Sequence, residues 1–238
     1  MRLSLLALAA LLLFQLPAFT QIAPGADKET LTYTVSWPSG LSLGEAQLQA
    51  TRQSPQEGSP ERWELRFTLE AAIPGFSVAD RLRSTATPEL CSLEFERDTT
   101  HGPRSGKELT TFDPAGATAS RRTLVPAGGG KSELSTPPCA RDAVSFLYFV
   151  RRELAQGRLP QSQTIFFGGP YQIQLEFAGR QKLRVGEEQV EADRFTATVK
   201  GPASGISFEI FFAQDRSRRP VLVRVPLALG AFTMELNP

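Results

Sequence analysis

One histidine, two cysteines and two methionines are all that 238 residues offer to soft-metal or thiol chemistry. A zinc site needs a close set of nitrogen and sulfur donors, and His101, Cys91 and Cys139 are too few and too scattered to supply one. No metal and no cofactor is expected. The chain also lacks an excess of charge of either sign, with 26 Lys and Arg against 25 Asp and Glu. Proteins that hold nucleic acid need a basic surplus to displace counterions from phosphates, so that class is set aside. The pairs Arg121–Arg122, Arg151–Arg152 and Arg218–Arg219 are scattered and read as solvated charges. No G-x-S-x-G elbow is present, and Gly128 to Gly130 precede no phosphate-loop Lys-Ser/Thr. That glycine run reads as a flexible loop. No catalytic residue is assigned.

Long apolar runs are missing too, except at the start. Arg2 supplies a small positive region, Leu3 to Leu13 is apolar apart from Ser4, and Gln15 and Pro17 break the run. A core of roughly 11 to 14 apolar residues is short against the 20 or so that span a bilayer. The pattern is that of a removable secretory leader over residues 1–20, cut before Gln21, with Ala23 as a second candidate. Residues 21–238 are then expected to form one domain, periplasmic or secreted, with no membrane span after cleavage.

What the rest of the chain has in quantity is alternation. Trp63, Leu65, Phe67 and Leu69 alternate with Glu64, Arg66 and Thr68; Leu31, Tyr33, Val35 and Trp37 alternate with Thr32, Thr34 and Ser36. Tyr171, Ile173, Leu175 and Phe177 do the same. A period of two marks strands with one buried face. Further strands are expected at 41–51, 77–86, 91–99, 106–113, 118–124, 163–168, 181–185, 189–200, 206–213, 220–225 and 228–236. Turn residues separate them at Pro38 to Gly40, Pro74-Gly75, Gly179-Arg180, Gly186-Glu187, Gly201-Pro202 and Gln214 to Arg219. Joints this short favour antiparallel neighbours. Pro126 to Pro138 reads as a loop.

One segment breaks the period. Asp142 to Gln156 contains neither Gly nor Pro, and Gly157 follows as a natural left-handed cap. Either Thr136 with Pro137, or Asp142 itself, caps the start. At 100° per residue Ala143, Leu147, Val150 and Leu154 cluster, and Val144, Phe146 and Phe149 widen the apolar arc to roughly 220°. Ser145, Tyr148 and Arg152 form the narrow polar stripe that remains. A helix so apolar belongs inside. The expected fold is mainly β: a single curved antiparallel sheet, or open half-barrel, with one central buried helix at about 142–156.

Several residues carry alternative readings. Ser145, Tyr148 and Arg152 face a ligand groove, with Arg152 placed to meet a carboxylate or phosphate bidentately. Alternatively they satisfy backbone groups, with Arg152 paired to Asp80 or Asp215. Phe166, Phe167 and Tyr171, around Gly168-Gly169-Pro170, line an apolar mouth or belong to the core. Cys91 and Cys139 form a disulfide closing a loop of about 49 residues in an oxidising compartment, or stay as free thiols. His101, in His101-Gly102-Pro103-Arg104-Ser105-Gly106, reads as a turn residue between two strands.

Taken in order, these pieces resemble a family. L-x-Y-x-V-x-W (Leu31 to Trp37), G-x-x-x-G (Gly40 to Gly44) and D-x-x-S-x-x-Y-x-x-x-R (Asp142 to Arg152) are followed by a late strand ending in Asp215 and by Arg219-Pro220-Val221. The order and spacing are similar to those of the exported bacterial domain-of-unknown-function family 3108. Where that family has Trp in the late strand, this chain has Phe211 or Phe212. The resemblance implies a curved sheet partly wrapped around a helix, in outline like the periplasmic lipoprotein carriers, and implies no activity.

Three functions fit these expectations. The first is an envelope protein that binds a lipid or another amphipathic ligand between sheet and helix. The second is a scaffold with an envelope-protein partner and a filled interior. The third is a hydrolase acting on an envelope polymer, which requires a cleft with convergent polar groups, and which His101 buried beside Ser105 and an acid would favour. The first two are non-catalytic.

Overall fold

The computed structural model describes residues 27–238, apart from 57, 59, 74, 203, 204, 228 and 229. The leader and both candidate cut sites lie outside the described residues. The first half of the chain is a run of hairpins: β1 (Lys28–Ser36), β2 (Ser42–Gln53), β3 (Arg62–Ile73), β4 (Phe76–Ala86), β5 (Ser92–His101), β6 (Arg104–Asp113), β7 (Thr118–Val125) and β8 (Lys131–Ser135). The two-residue strand β9 (Arg141–Asp142) leads into α1 (Ala143–Ala155). The second half holds β10 (Gln163–Phe166), β11 (Pro170–Val185), β12 (Glu188–Lys200), β13 (Gly205–Ala213), β14 (Pro220–Leu227) and β15 (Gly230–Leu236).

These strands make one 15-stranded sheet in which β1 and β15 are neighbours and β8 and β9 are the two edges. Every pairing is antiparallel except β9 with β10, the two strands that α1 connects. A parallel pair needs a crossover, and here the crossover is the helix. The sheet curls until its β9 end returns to β5. There Ser92 N–H donates to Ala140 O at 2.8 Å, and a disulfide joins Cys91 to Cys139. Strands β6 to β8 continue past this seam against the β10–β11 turn: Phe166 meets Phe112 edge-on at 5.5 Å, and the Arg121 guanidinium donates to Gly168 O. The sheet is therefore barrel-like in outline but open.

Three local features depart from the sequence expectation, the first being the two-residue strand β9 (Arg141–Asp142). Residues 171–177 and 181–185 are one strand, β11, because Gly179 at φ +119° makes a bulge rather than a turn. The segment 126–138 contains β8, which pairs with β7. Its alternation, Ser132 and Leu134 against Lys131, Glu133 and Ser135, is too short and too polar to stand out, as suits an edge strand.

The helix fills the lower part of the concavity. Val144 and Tyr148 join the larger core, built from β1 to β7 together with residues of β10 to β15, while Phe146, Val150 and Leu154 pack on β10 to β13. Contact on both sides explains the wide apolar arc. The helix ends with Gly157 at φ +72°, where Arg158 N–H bonds to Glu153 O and Gly157 N–H to Leu154 O. Closure of the sheet depends on the seam, so replacing both Cys91 and Cys139 by Ser is expected to cost about 2–4 kcal/mol in urea unfolding. Reductant should lower the wild-type midpoint and leave the double variant's midpoint where it was.

Candidate functional site

Asp142 begins the helix and is wholly buried. Its Oδ1 accepts from the amides of Val144 at 2.8 Å and Ser145 at 3.0 Å, capping the first turn. Its Oδ2 accepts from the Ser84 and Ser92 hydroxyls, each at 2.5 Å, so the same carboxyl ties α1 to β4 and β5. Ser92 Oγ accepts in turn from Asp142 N–H at 2.8 Å and lies 2.8 Å from Ser145 Oγ. Burial pushes the Asp142 carboxyl above its ordinary range, against the pull of these four hydrogen bonds.

The polar stripe of the helix thus divides. Ser145 belongs to this buried network, and Tyr148 is wholly buried. Tyr148 lies with its ring 4.9 Å from the Arg151 guanidinium, and burial raises its hydroxyl far above the ordinary value. Arg152 reaches the carbonyls of Pro88 and Glu89 at 3.5 and 3.1 Å, rather than Asp80 or Asp215, because its helix face looks at the β4–β5 turn. Asp80 is engaged by His101 and Asp215 by Arg219.

Arg151, which the sequence placed in a solvated pair, is the buried cation. Its guanidinium makes two bonds to Glu29, at 2.6 and 2.8 Å, and two to Ser217 O, at 3.1 and 2.9 Å. Burial works against its charge, but the bonds and the charge of Glu29 outweigh it and hold Arg151 above its ordinary value. Nothing in the 3.6-residue period marks this position, since the partner is 122 residues away. Removing Arg151 alone strands a carboxylate, so Arg151→Ala is expected to cost about 3–5 kcal/mol, and Arg151→Met with Glu29→Leu to recover most of it. Equal losses in the single and double variants, measured by chemical denaturation, contradict this.

Side chains leave two apolar clefts on the concave side. One apolar cleft of about 330 Å³ lies between α1 and the sheet, walled by Phe146, Leu147 and Val150 on one side and Ile173, Ala197 and Ile210 on the other. A second, of about 370 Å³, is bounded by Val35, Leu69, Val78, Val225, Phe232 and Met234. Val223 borders both, so the two clefts adjoin along the inner wall. Of the aromatic residues singled out from sequence, Phe167 lines the first cleft, 6.2 Å from Phe95. Phe166 is buried core against Phe112, and Tyr171 packs at the Gly201 turn.

The inner wall is polar on one side only. The cross-strand pairs Asp80 with Thr99, and Arg97 with Glu108, stand where the other strands present Leu, Val and Phe. His101 Nε2 lies 2.7 Å from Asp80 Oδ1, with the imidazole about half exposed. Ser105 pairs with Thr100 in the ladder and lines the same crevice as His101, but makes no hydrogen bond to the imidazole among the described residues.

The model of a family described as a protein of unknown function, DUF3108, matches residues 32–237. No curated protein matches the chain. Among solved structures, a β-barrel-like protein of the domain of unknown function DUF1849 from Brucella abortus is similar. Its TM-score is 0.60 at 9% identity, over 87% of this chain and 94% of that one. The likeness is one of fold.

Proposed function

The chain belongs to the DUF3108 family, whose function is unknown, and for this member we propose a non-catalytic binding protein of the cell envelope that holds a long acyl chain in the groove above α1. The observation that carries the reading is the pair of apolar clefts, about 370 and 330 Å³, that meet at Val223. Protein interiors are packed with few voids larger than a water molecule, and ligand sites begin at roughly 300 Å³. A scaffold with a filled interior has no need of such a groove. An alkyl chain suits it because the walls are apolar and curved, and each buried methylene contributes roughly 0.8 kcal/mol before the costs of ordering.

The compartment belongs to the proposal. The Cys91–Cys139 disulfide agrees with an oxidising space, and the apolar leader with export.

Native mass spectrometry of protein taken from its own compartment is expected to show acyl ligands bound. Val223→Trp, which blocks the junction of the clefts, should weaken a fluorescent fatty-acid probe at least about tenfold with the unfolding midpoint unchanged. Delipidated protein that ignores added long-chain ligands would overturn the proposal.

A further inference from the structure

A single row of cross-strand neighbours runs around the inner wall. It passes from Ile210 to Val223 and Met234, crosses to Val35 and Gly44, and continues through Ala71 to Val78. Residues paired across a ladder share a face, so these form a continuous apolar track, and most of them border the clefts. Gly44 belongs to it by necessity, since a Cβ there would stand 1.9 Å from Glu70 O. The next two members of the row are His101, opposite Val78, and Arg104, opposite His101. The track ends in basic side chains.

Its end is a shaped place. Gly102 at φ +58° and Pro103 turn β5 into β6, and Gly102 N–H bonds to Ser77 O at 2.7 Å, fixing this hairpin to the β3–β4 hairpin. A crevice of about 630 Å³ opens there, its lining including His101, Arg104, Thr99, Ser105 and Phe76. Phe76 also borders the 370 Å³ apolar cleft, so this crevice and the acyl groove share a wall. Asp80 is occupied by His101, and Arg104 takes part in no ion pair among the described residues. A chain lying along the track brings its polar end to Arg104.

We propose that this crevice is the head-group site and takes the anionic head, a carboxylate or phosphate, of a single-chain amphiphile. Arg104 supplies a two-pronged set of N–H donors, and His101, oriented by Asp80, flanks it. The inference rests on the acyl-chain reading above and adds the charge of the ligand.

The test compares hexadecanoate, hexadecan-1-ol and inorganic phosphate, each titrated into delipidated wild type, Arg104→Gln and the surface control Arg122→Gln. Wild type and Arg122→Gln are expected to prefer the acid over the alcohol by about tenfold or more, with Arg104→Gln losing the preference and keeping its affinity for the alcohol. Equal binding of acid and alcohol by wild type, or a preference that survives Arg104→Gln, overturns the head-group site while leaving the acyl groove standing. Phosphate alone binding as tightly as hexadecanoate also overturns it, in favour of a free-anion site. If neither long-chain compound binds, the acyl reading fails and the head-group site fails with it.

Discussion

The architecture depends on one buried carboxyl. Asp142 caps α1 and, through the Ser84 and Ser92 hydroxyls, fastens the start of the helix to β4 and β5. That fastening does two things at once. It sets where the rod sits in the concavity, and it holds the β9 edge of the sheet against β5 a few residues from the Cys91–Cys139 bond. Buried polar groups in low dielectric are favourable only when satisfied, so the cluster works as a unit. Arg151 with Glu29 makes a second tie, joining the last turns of the helix to β1. Held at both ends, the helix occupies the lower concavity and leaves the upper wall uncovered.

Much of this was legible in the residues because its signals are local. Alternation located the long strands, and the breadth of the apolar arc from Ala143 to Leu154 announced a helix with neighbours on two sides. Asp142 and Gly157 bounded that helix by ordinary cap chemistry. Positions of the family motif form buried ties, of which those at Asp142 and Ser145 hold the start of the helix. Asp142 and Ser145 share the buried network, and the Tyr33 hydroxyl donates to Pro220 O. What escaped was set by distance or by brevity. Arg151 looked solvated because Glu29 lies far away in sequence. β8 and β9 are too short for a period to register, and Gly179 carries the same composition whether it turns a chain or bulges one.

The site shows the same division. Ser145 and Tyr148 were singled out for polarity on an apolar helix, and the structure assigns them to the interior rather than to a groove wall. Phe167 lines the first cleft, whereas Phe166 lies in the core. The groove itself was not visible in any segment, since its walls come from strands distributed over the whole chain and are assembled only by register. The polar sector of the inner wall, from Asp80 to Arg104, belongs to strands whose alternation pairs apolar residues at one end with charged ones at the other. A surface of that kind suits a ligand that is itself greasy at one end and charged at the other. The fold shared with the DUF1849 protein at 9% identity places the architecture in company without lending it a function.

The most direct measurement is a crystal structure grown with a fatty acid brominated along its chain, with the bromine sites located by anomalous scattering. Bromine is expected inside the concavity, beside Val223 and near α1. Bromine found only on the outer face of the sheet, or a groove closed by its own side chains with none bound, would contradict it.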